Sequence, residues 1–382
     1  MYNKNTPTSY FFPPEAATMT TEQSVVSALT YNGTPTAAGG FDGEYLMRYM
    51  VLNEPEKKIL SLICVLTGPV TFLENILVLV VIGTTDNLRK RPTYLFIGSL
   101  AAADVLASSF FPIIFLDFHL FKRSDSPEIY LFKLGGVTMA FTGSVGSLLL
   151  TSMDRYLCIY QAPRYKSLMT CRRALFGIVA LWITTVVISF LPIFGWRCWS
   201  ASLCSLLFPY VAPLYIGCWV GLMLIVLFLI VGAYALILWK AHQHEAAMEA
   251  PTAGRSTMGR HARMRVDIHL AQTLGLILMI LVLCWVPSLS IMLIDVSRKL
   301  TINEQRAFAF CGTLCLVNSA VNPLLYALRC RKLRRALVNL LRRVCGVCCR
   351  GKPVCVCLQN KDGDVKKYAE TVSESLDKQN PG

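Results

Sequence analysis

The side chains best able to do chemistry in this chain are acids, a base and amides set inside long apolar stretches. Glu74 and Asn75 lie in "FLENILVLV", Asp104 in "SLAAADVLAS", Asp154 and Arg155 in "SMDRYLC", and Asn318 and Asn322 in "VNSAVNPLLY". A charge at the centre of a bilayer costs about 2.5–3.5 kcal/mol on insertion scales, so each of these residues asks for a reason. The simplest reason is adhesion, because polar groups hydrogen-bond between helices at about 0.6–2 kcal/mol apiece. That accounts for Asn75 and Ser144. It leaves Asp154 and Arg155, adjacent opposite charges at the edge of a greasy segment, and it leaves the prolines. Proline removes a backbone donor and clashes with the preceding turn, which kinks a helix. Pro192, Pro287 and Pro323 predict three weak points, and Trp285 and Tyr326 stand near two of them. Kinks with aromatic neighbours point to moving parts.

The elements that must position these residues are membrane spans. The chain is 54% hydrophobic and 16% charged, against about a quarter charged in soluble domains. Stretches at 59–82, 93–116, 129–158, 174–194, 210–238, 268–294 and 306–328 each supply the roughly 20 helical residues a bilayer core needs. The expected fold is an all-α integral membrane bundle of seven helices. A flexible N-terminal segment fills 1–56, the bundle 57–328, an amphipathic helix 329–345 and a tail 346–382. Basic residues set the orientation. One set of loops ("NLRKRP", "APRYKSLMTCRR" and the stretch from Trp239 to Arg265) holds twelve Lys or Arg, and the opposite set holds six. The first set is expected to be cytoplasmic, with the N-terminus outside and the C-terminus inside.

The net charge of +14 sits beside the spans, where it meets anionic headgroups, and this argues against nucleic acid as a partner. The N-terminal residues lack the basic start and apolar run of a cleavable signal. Asn32 in "NGT" is a glycosylation sequon on the outer side, with Pro35 unfavourably close. Six of the fifteen cysteines lie in spans, where Cys behaves as a small apolar residue. Cys198 and Cys204 flank an outer loop, where a disulfide would close a small ring. Cys345, Cys348 and Cys349 follow a basic amphipathic stretch on the inner side and suit palmitoylation. Enzyme readings fail: "HEAAM" at His244 lacks the second histidine of a zincin helix, the five histidines do not cluster for a metal, and there is no phosphate-cradling Gly-rich loop. A transporter would often show repeated halves with matching broken helices, and no internal repeat is present. A receptor is the better class.

Asn75, Asp104, "DRY" at 154–156, Trp182, "CWVP" at 284–287 and "NPLLY" at 322–326 fall in order along successive spans. Together they resemble the rhodopsin-like G-protein-coupled receptors, from about residue 57 to 340. "YLFIGSLA", "DFHLF", "SVGSLLLTSMDRYLC", "LWKAHQH", "AQTLGLIL", "AFAFC" and "LCLVNSAVNPLLYALR" are similar to the cannabinoid receptors within that class. The short third inner loop, "WKAHQH" and an N-terminal segment without cysteine favour the type 2 branch, in a non-mammalian vertebrate.

The resemblance implies a lipid pocket. Its candidate ligand contacts are Phe111, Phe115, Phe118, His119, Lys133, Val137, Thr138, Phe141, Phe208, Trp219, Trp285, Ser288, Phe308 and Gly312. Phe111, Phe115 and Phe118 share one helical face. Amine receptors carry an aspartate where this chain has Val137, so a cationic ligand is not expected. The position of the usual span-three cysteine is Tyr130, and the Cys198–Cys204 ring is the family's substitute for the missing tie. The implied ligands are 2-arachidonoylglycerol and anandamide, entering from the bilayer. A serine that bonds the ligand in the family is replaced by Gly312. Either Ser288 takes over its hydroxyl from the neighbouring helix, or Gly312 merely enlarges the pocket and Ser288 bonds its own backbone. The implied switch comprises Asp154, Arg155, Tyr156, Tyr234, Asp267, Pro287, Asn322, Pro323 and Tyr326, with Arg155 paired to Asp154 and Asp267. Asp104, Ser144, Asn318 and Asn322 match the family's sodium site. The implied partners are a Gi/o-class G protein, receptor kinases acting on Thr371, Ser373 and Ser375, and arrestin, at the plasma membrane. A lysophospholipid receptor is the nearest alternative, and it would need basic residues for a phosphate.

Overall fold

A computed structural model describes residues 43–122, 125–198, 204–248 and 258–348. Within them run eight long helices. These are α1 (Glu54–Thr84), α2 (Pro92–Phe115), α3 (Pro127–Tyr160), α4 (Cys171–Phe190), α5 (Pro213–Met248), α6 (Met258–Ser297), α7 (Ile302–Arg329) and α8 (Arg331–Cys348). The first seven are long and apolar enough to cross a membrane. Among the described residues the only β pairing is one isolated bridge, Arg197 to Val211. The protein is a seven-helix membrane bundle with a following amphipathic helix, as its apolar pattern predicts.

Local chemistry fixes the helix starts. The Glu56 carboxylate accepts from the Asn53 N–H at 2.8 Å, closing a capping box at α1. Proline occupies the first turn of α1, α2 and α3, where its missing N–H is no loss. Thr170 Oγ1 accepts from the Arg173 N–H at 3.3 Å to open α4.

α3 runs through the middle of the bundle, packed by α2, α4 and α5. A Cβ on Gly136 would stand 2.4 Å from the Phe110 ring, and one on Gly146 would stand 2.3 Å from Leu181. Both glycines are required for α2 and α4 to approach this closely. Large apolar side chains such as Phe176, Phe228 and Leu283 point outward, while Asn75, Asp104 and Asn322 point inward. This distribution suits a lipid surround, in which helices are held by close packing and internal polar contacts.

Three features depart from the sequence expectation. α2 continues beyond Phe115 as one π-helical turn, Leu116–Leu120. Pro192 lies past the end of α4 and terminates it rather than kinking it, because a proline cannot donate to the preceding turn. α6 and α7, by contrast, run on through Pro287 and Pro323. Residues 43–53, read as part of a flexible segment, are packed: a short helix spans Gly43–Met47, and Tyr45, Tyr49 and Leu52 are buried.

Candidate functional site

A cavity of about 180 Å³ opens among α2, α3, α5, α6 and α7, at the end of the bundle that carries the disulfide Cys198–Cys204. α2 lends it Phe111 and Phe115, and the π turn adds Phe118 and His119. α3 provides Val137, Thr138 and Phe141; Phe208 comes from the segment after Cys204. Trp219, Trp285, Ser288, Phe308 and Gly312 complete the expected set from α5, α6 and α7. The rings interlock by their edges: Phe141 meets Trp285 at 4.7 Å and 88°, and Phe208 meets Phe308 at 5.4 Å and 87°. Such edge-to-face contacts are worth about 0.5–1.5 kcal/mol beyond their area. Trp219 lies 6.4 Å from Trp285 and donates its Nε1–H to Thr142 Oγ1 at 3.0 Å. No Lys, Arg, Asp or Glu lines the cavity among the described residues.

Lys133 corrects the sequence reading. Its ammonium does not line the cavity; it pairs with Asp117 Oδ2 at 2.5 Å and Asp125 Oδ2 at 2.6 Å. Asp117 sits in the π turn, and the two carboxylates engage the Lys133 ammonium outside the cavity lining. The structure also adds lining residues that the sequence did not suggest, among them Tyr49, Leu52, Leu206, Leu207 and Met292. The apolar run "EYLMRYMVL" was the available signal for the first two. Gly312 does not leave open space: a Cβ there would stand 3.3 Å from the Phe111 ring. The Ser288 hydroxyl is buried on the same cavity, 3.8 Å from Cys315 Sγ, and faces α7 rather than its own backbone.

At the other end, Asp154 and Arg155 are both buried. Arg155 pairs with Asp154 and donates to Thr93 Oγ1. Thr93 in turn donates to Asp154 Oδ2 at 2.8 Å, and Tyr165 donates to Asp154 Oδ1 at 2.7 Å. Burial pushes the Tyr165 phenol well above its usual range and keeps it a donor. Tyr156 stacks on Tyr160 at 4.5 Å, and Tyr234 is buried nearby on α5. Asp267 and Tyr326 have helical backbone, but their side chains lie outside the described residues.

Between the two ends, Asn322 Nδ2 donates to Asp104 Oδ2 at 2.8 Å. Asp104 Oδ1 and Asn318 Oδ1 are buried without a hydrogen-bond partner, and Ser144 is buried on α3. An orphaned carboxylate oxygen and amide oxygen of this kind suit a small hard cation, which takes oxygen ligands.

A sequence profile described as 7 transmembrane receptor (rhodopsin family) matches residues 74–326. Cannabinoid receptor 2 of Homo sapiens is 44% identical over 302 residues, covering 79% of this chain and 83% of that protein. Cannabinoid receptor 2 of Rattus norvegicus is 45% identical over 303 residues, with 79% and 83% covered. Cannabinoid receptor 1 of Xenopus laevis is 44% identical over 304 residues, with 76% and 65% covered. The chain belongs to the cannabinoid receptors of the rhodopsin family. It is therefore a receptor and not an enzyme. Its identity to type 1 and type 2 relatives is the same to within a percentage point.

In this receptor the family resemblance and the geometry meet at the cavity, which gathers every expected ligand contact except Lys133. The expected disulfide is present. Asn32, Cys349, Thr371, Ser373 and Ser375 lie outside the described residues. Cys345 and Cys348 fall on α8, with side chains outside them.

Proposed function

We propose that the receptor binds the endocannabinoid lipids 2-arachidonoylglycerol and anandamide and signals through Gi/o proteins, lowering cyclic AMP. The observation that carries this reading is the cavity lining: interlocked aromatic rings with no charged residue among the described ones. Such a lining rewards a long apolar chain by area, at about 25 cal/mol per Å², and offers no Lys or Arg to a phosphate among the described residues. The lysophospholipid reading is weakened by the same fact, since Lys133, its one candidate, is taken by Asp117 and Asp125. His119 Nδ1 is buried beside the cavity without a partner and would take the ligand's hydroxyl or amide. The short third inner loop, and the fuller coverage of type 2 relatives, support the type 2 branch in a non-mammalian vertebrate.

The chemistry of signalling is a shift in population. A ligand moves an equilibrium only by its differential affinity for two states. An agonist pressing on Phe141 changes its edge contact with Trp285, two residues before the Pro287 weak point of α6. In the proposed resting state, Thr93, Asp154 and Asp267 hold Arg155. In the open state Arg155 leaves them, Tyr234 and Tyr326 swing in, and Tyr156 lines a cavity for the G protein's C-terminal helix. Asn322 and Pro323 shape the bend of α7. Asp104, Ser144, Asn318 and Asn322 would hold a sodium ion whose charge favours the resting state. The receptor would lie in the plasma membrane with the N-terminus outside. Asn32 would be glycosylated, and Cys345, Cys348 and Cys349 palmitoylated beside the inner leaflet. Kinases acting on Thr371, Ser373 and Ser375 would recruit arrestin.

The test is cyclic AMP in transfected cells given 2-arachidonoylglycerol, with and without a toxin that blocks Gi. A fall that the toxin abolishes is expected. No response at normal surface expression would overturn the assignment.

A further inference from the structure

The wall that closes the cavity at its solvent end is fastened to α6. Cys204 ends the disulfide ring, and the next four residues turn over the cavity, placing Leu206, Leu207 and Phe208 in its lining. Leu207 and Phe208 pack on the apolar core, and the turn that carries them is held by one buried carboxylate. Asp295, on the last turns of α6, accepts from Ser205 Oγ at 2.5 Å and from the Leu206 N–H at 3.1 Å. Ser205 Oγ then accepts from the N–H groups of Leu207 and Phe208 at 3.0 and 3.1 Å. The Ser205 carbonyl accepts from Tyr49 OH at 2.8 Å, and Tyr49 is itself bonded to Tyr45 at 2.8 Å. Burial raises the Tyr49 phenol far above its usual range, so it remains a donor. Asp295 and Ser205 are 8% and 1% exposed, which makes these charge-assisted bonds hard for water to replace.

We infer that Asp295 is a positioning residue that fixes the roof of the ligand cavity to α6, through Ser205 to the turn and through Tyr49 to the segment before α1. One consequence follows from placement: Asp295 and Trp285 ride on the same helix on either side of Pro287, so a bend of α6 there changes the position of the roof relative to Trp285. This inference rests on the cavity being the ligand site only for its meaning; the linkage itself is a property of the ligand-free receptor.

The test uses the full receptor in lipid nanodiscs, without ligand. Cys315 lines the cavity and is buried, so its labelling by a small water-soluble methanethiosulfonate reports an open roof, read peptide by peptide by mass spectrometry. Asp295→Ala and Ser205→Ala should each raise the Cys315 labelling rate about tenfold or more, the equilibrium weight of a hydrogen bond to a charged group. Asp295→Asn keeps one acceptor oxygen and should fall between. The double variant should label no faster than Asp295→Ala, because both remove one linkage. Unchanged labelling in both single variants, or effects that multiply in the double, would overturn the inference. Ser205→Ala is a small change in a turn and keeps the test open if Asp295→Ala folds poorly. A receptor that ignores 2-arachidonoylglycerol yet shows these rates would sink the proposed ligand and leave the roof linkage standing.

Discussion

Thr93→Val is the sharpest perturbation of the Arg155 end. Valine keeps the shape of threonine and removes only the hydroxyl. That hydroxyl donates to Asp154 Oδ2 at 2.8 Å and accepts from Arg155. All three residues are buried, so water does not readily replace it. The Asp154–Arg155 pair survives the change, and the loss is therefore that of the hydroxyl alone. A hydrogen bond to a charged group contributes about 1.5–3 kcal/mol. If the hydroxyl's net contribution is that of one such bond, present only in the resting state, the open-to-resting ratio rises roughly 10- to 150-fold. A receptor open about 1% of the time would then be open in about a tenth to three-fifths of molecules, by the same population arithmetic. Basal nucleotide exchange on a purified Gi protein, without ligand, reads this directly. Exchange that stays at the wild-type rate, at equal receptor amount, would mean that the bonds persist in the open state and that Thr93 is no part of the lock.

Four further outcomes follow from the same geometry. Phe141→Ala removes the 4.7 Å edge contact with Trp285 and should cut agonist efficacy in the cyclic AMP assay more than it cuts agonist binding. Ser288→Ala should lower endocannabinoid potency several-fold if that hydroxyl replaces the one absent at Gly312; an unchanged dose–response curve removes the idea. Asp267→Ala should raise basal signalling, whereas Arg155→Ala should abolish signalling while radioligand binding persists. Asp104→Asn should remove any effect of sodium on agonist affinity, measured by competition in sodium and in N-methylglucamine, and a sodium effect that survives the change would place the ion elsewhere.

The bundle was legible because its signal is redundant. Seven apolar stretches, a bias of basic residues and polar groups in spans all point the same way. The aromatic face of α2 was legible for the same reason: Phe111 and Phe115 obey helical periodicity and stand in the cavity. The π turn at Leu116–Leu120 was not, because no proline or glycine announces it, although Phe118 and His119 still reach the cavity as expected. Lys133 was misplaced for a related reason. Whether a lysine faces a ligand or two carboxylates depends on side chains from another helix and a loop, Asp117 and Asp125. Tyr45 and Tyr49 were lost in a segment whose composition looks unstructured, although their spacing of four was visible. Asp295 gave no signal either, since an acid at the end of a span reads as solvated until Ser205 is found beside it.

Two of the glycines that α3 turns toward its neighbours, Gly136 and Gly146, limit how this receptor can be engineered. Replacing helical glycine with alanine is a common route to a sturdier protein, worth about 1 kcal/mol where the helix is free. At Gly136 and Gly146 the added methyl would meet Phe110 or Leu181 well inside contact distance. Alanine there should loosen the bundle, pushing α2 or α4 off the helix that carries both the cavity wall and Arg155. Variants made for crystallisation or display should take their alanines from Gly221 or Gly232, where the space around the backbone is open.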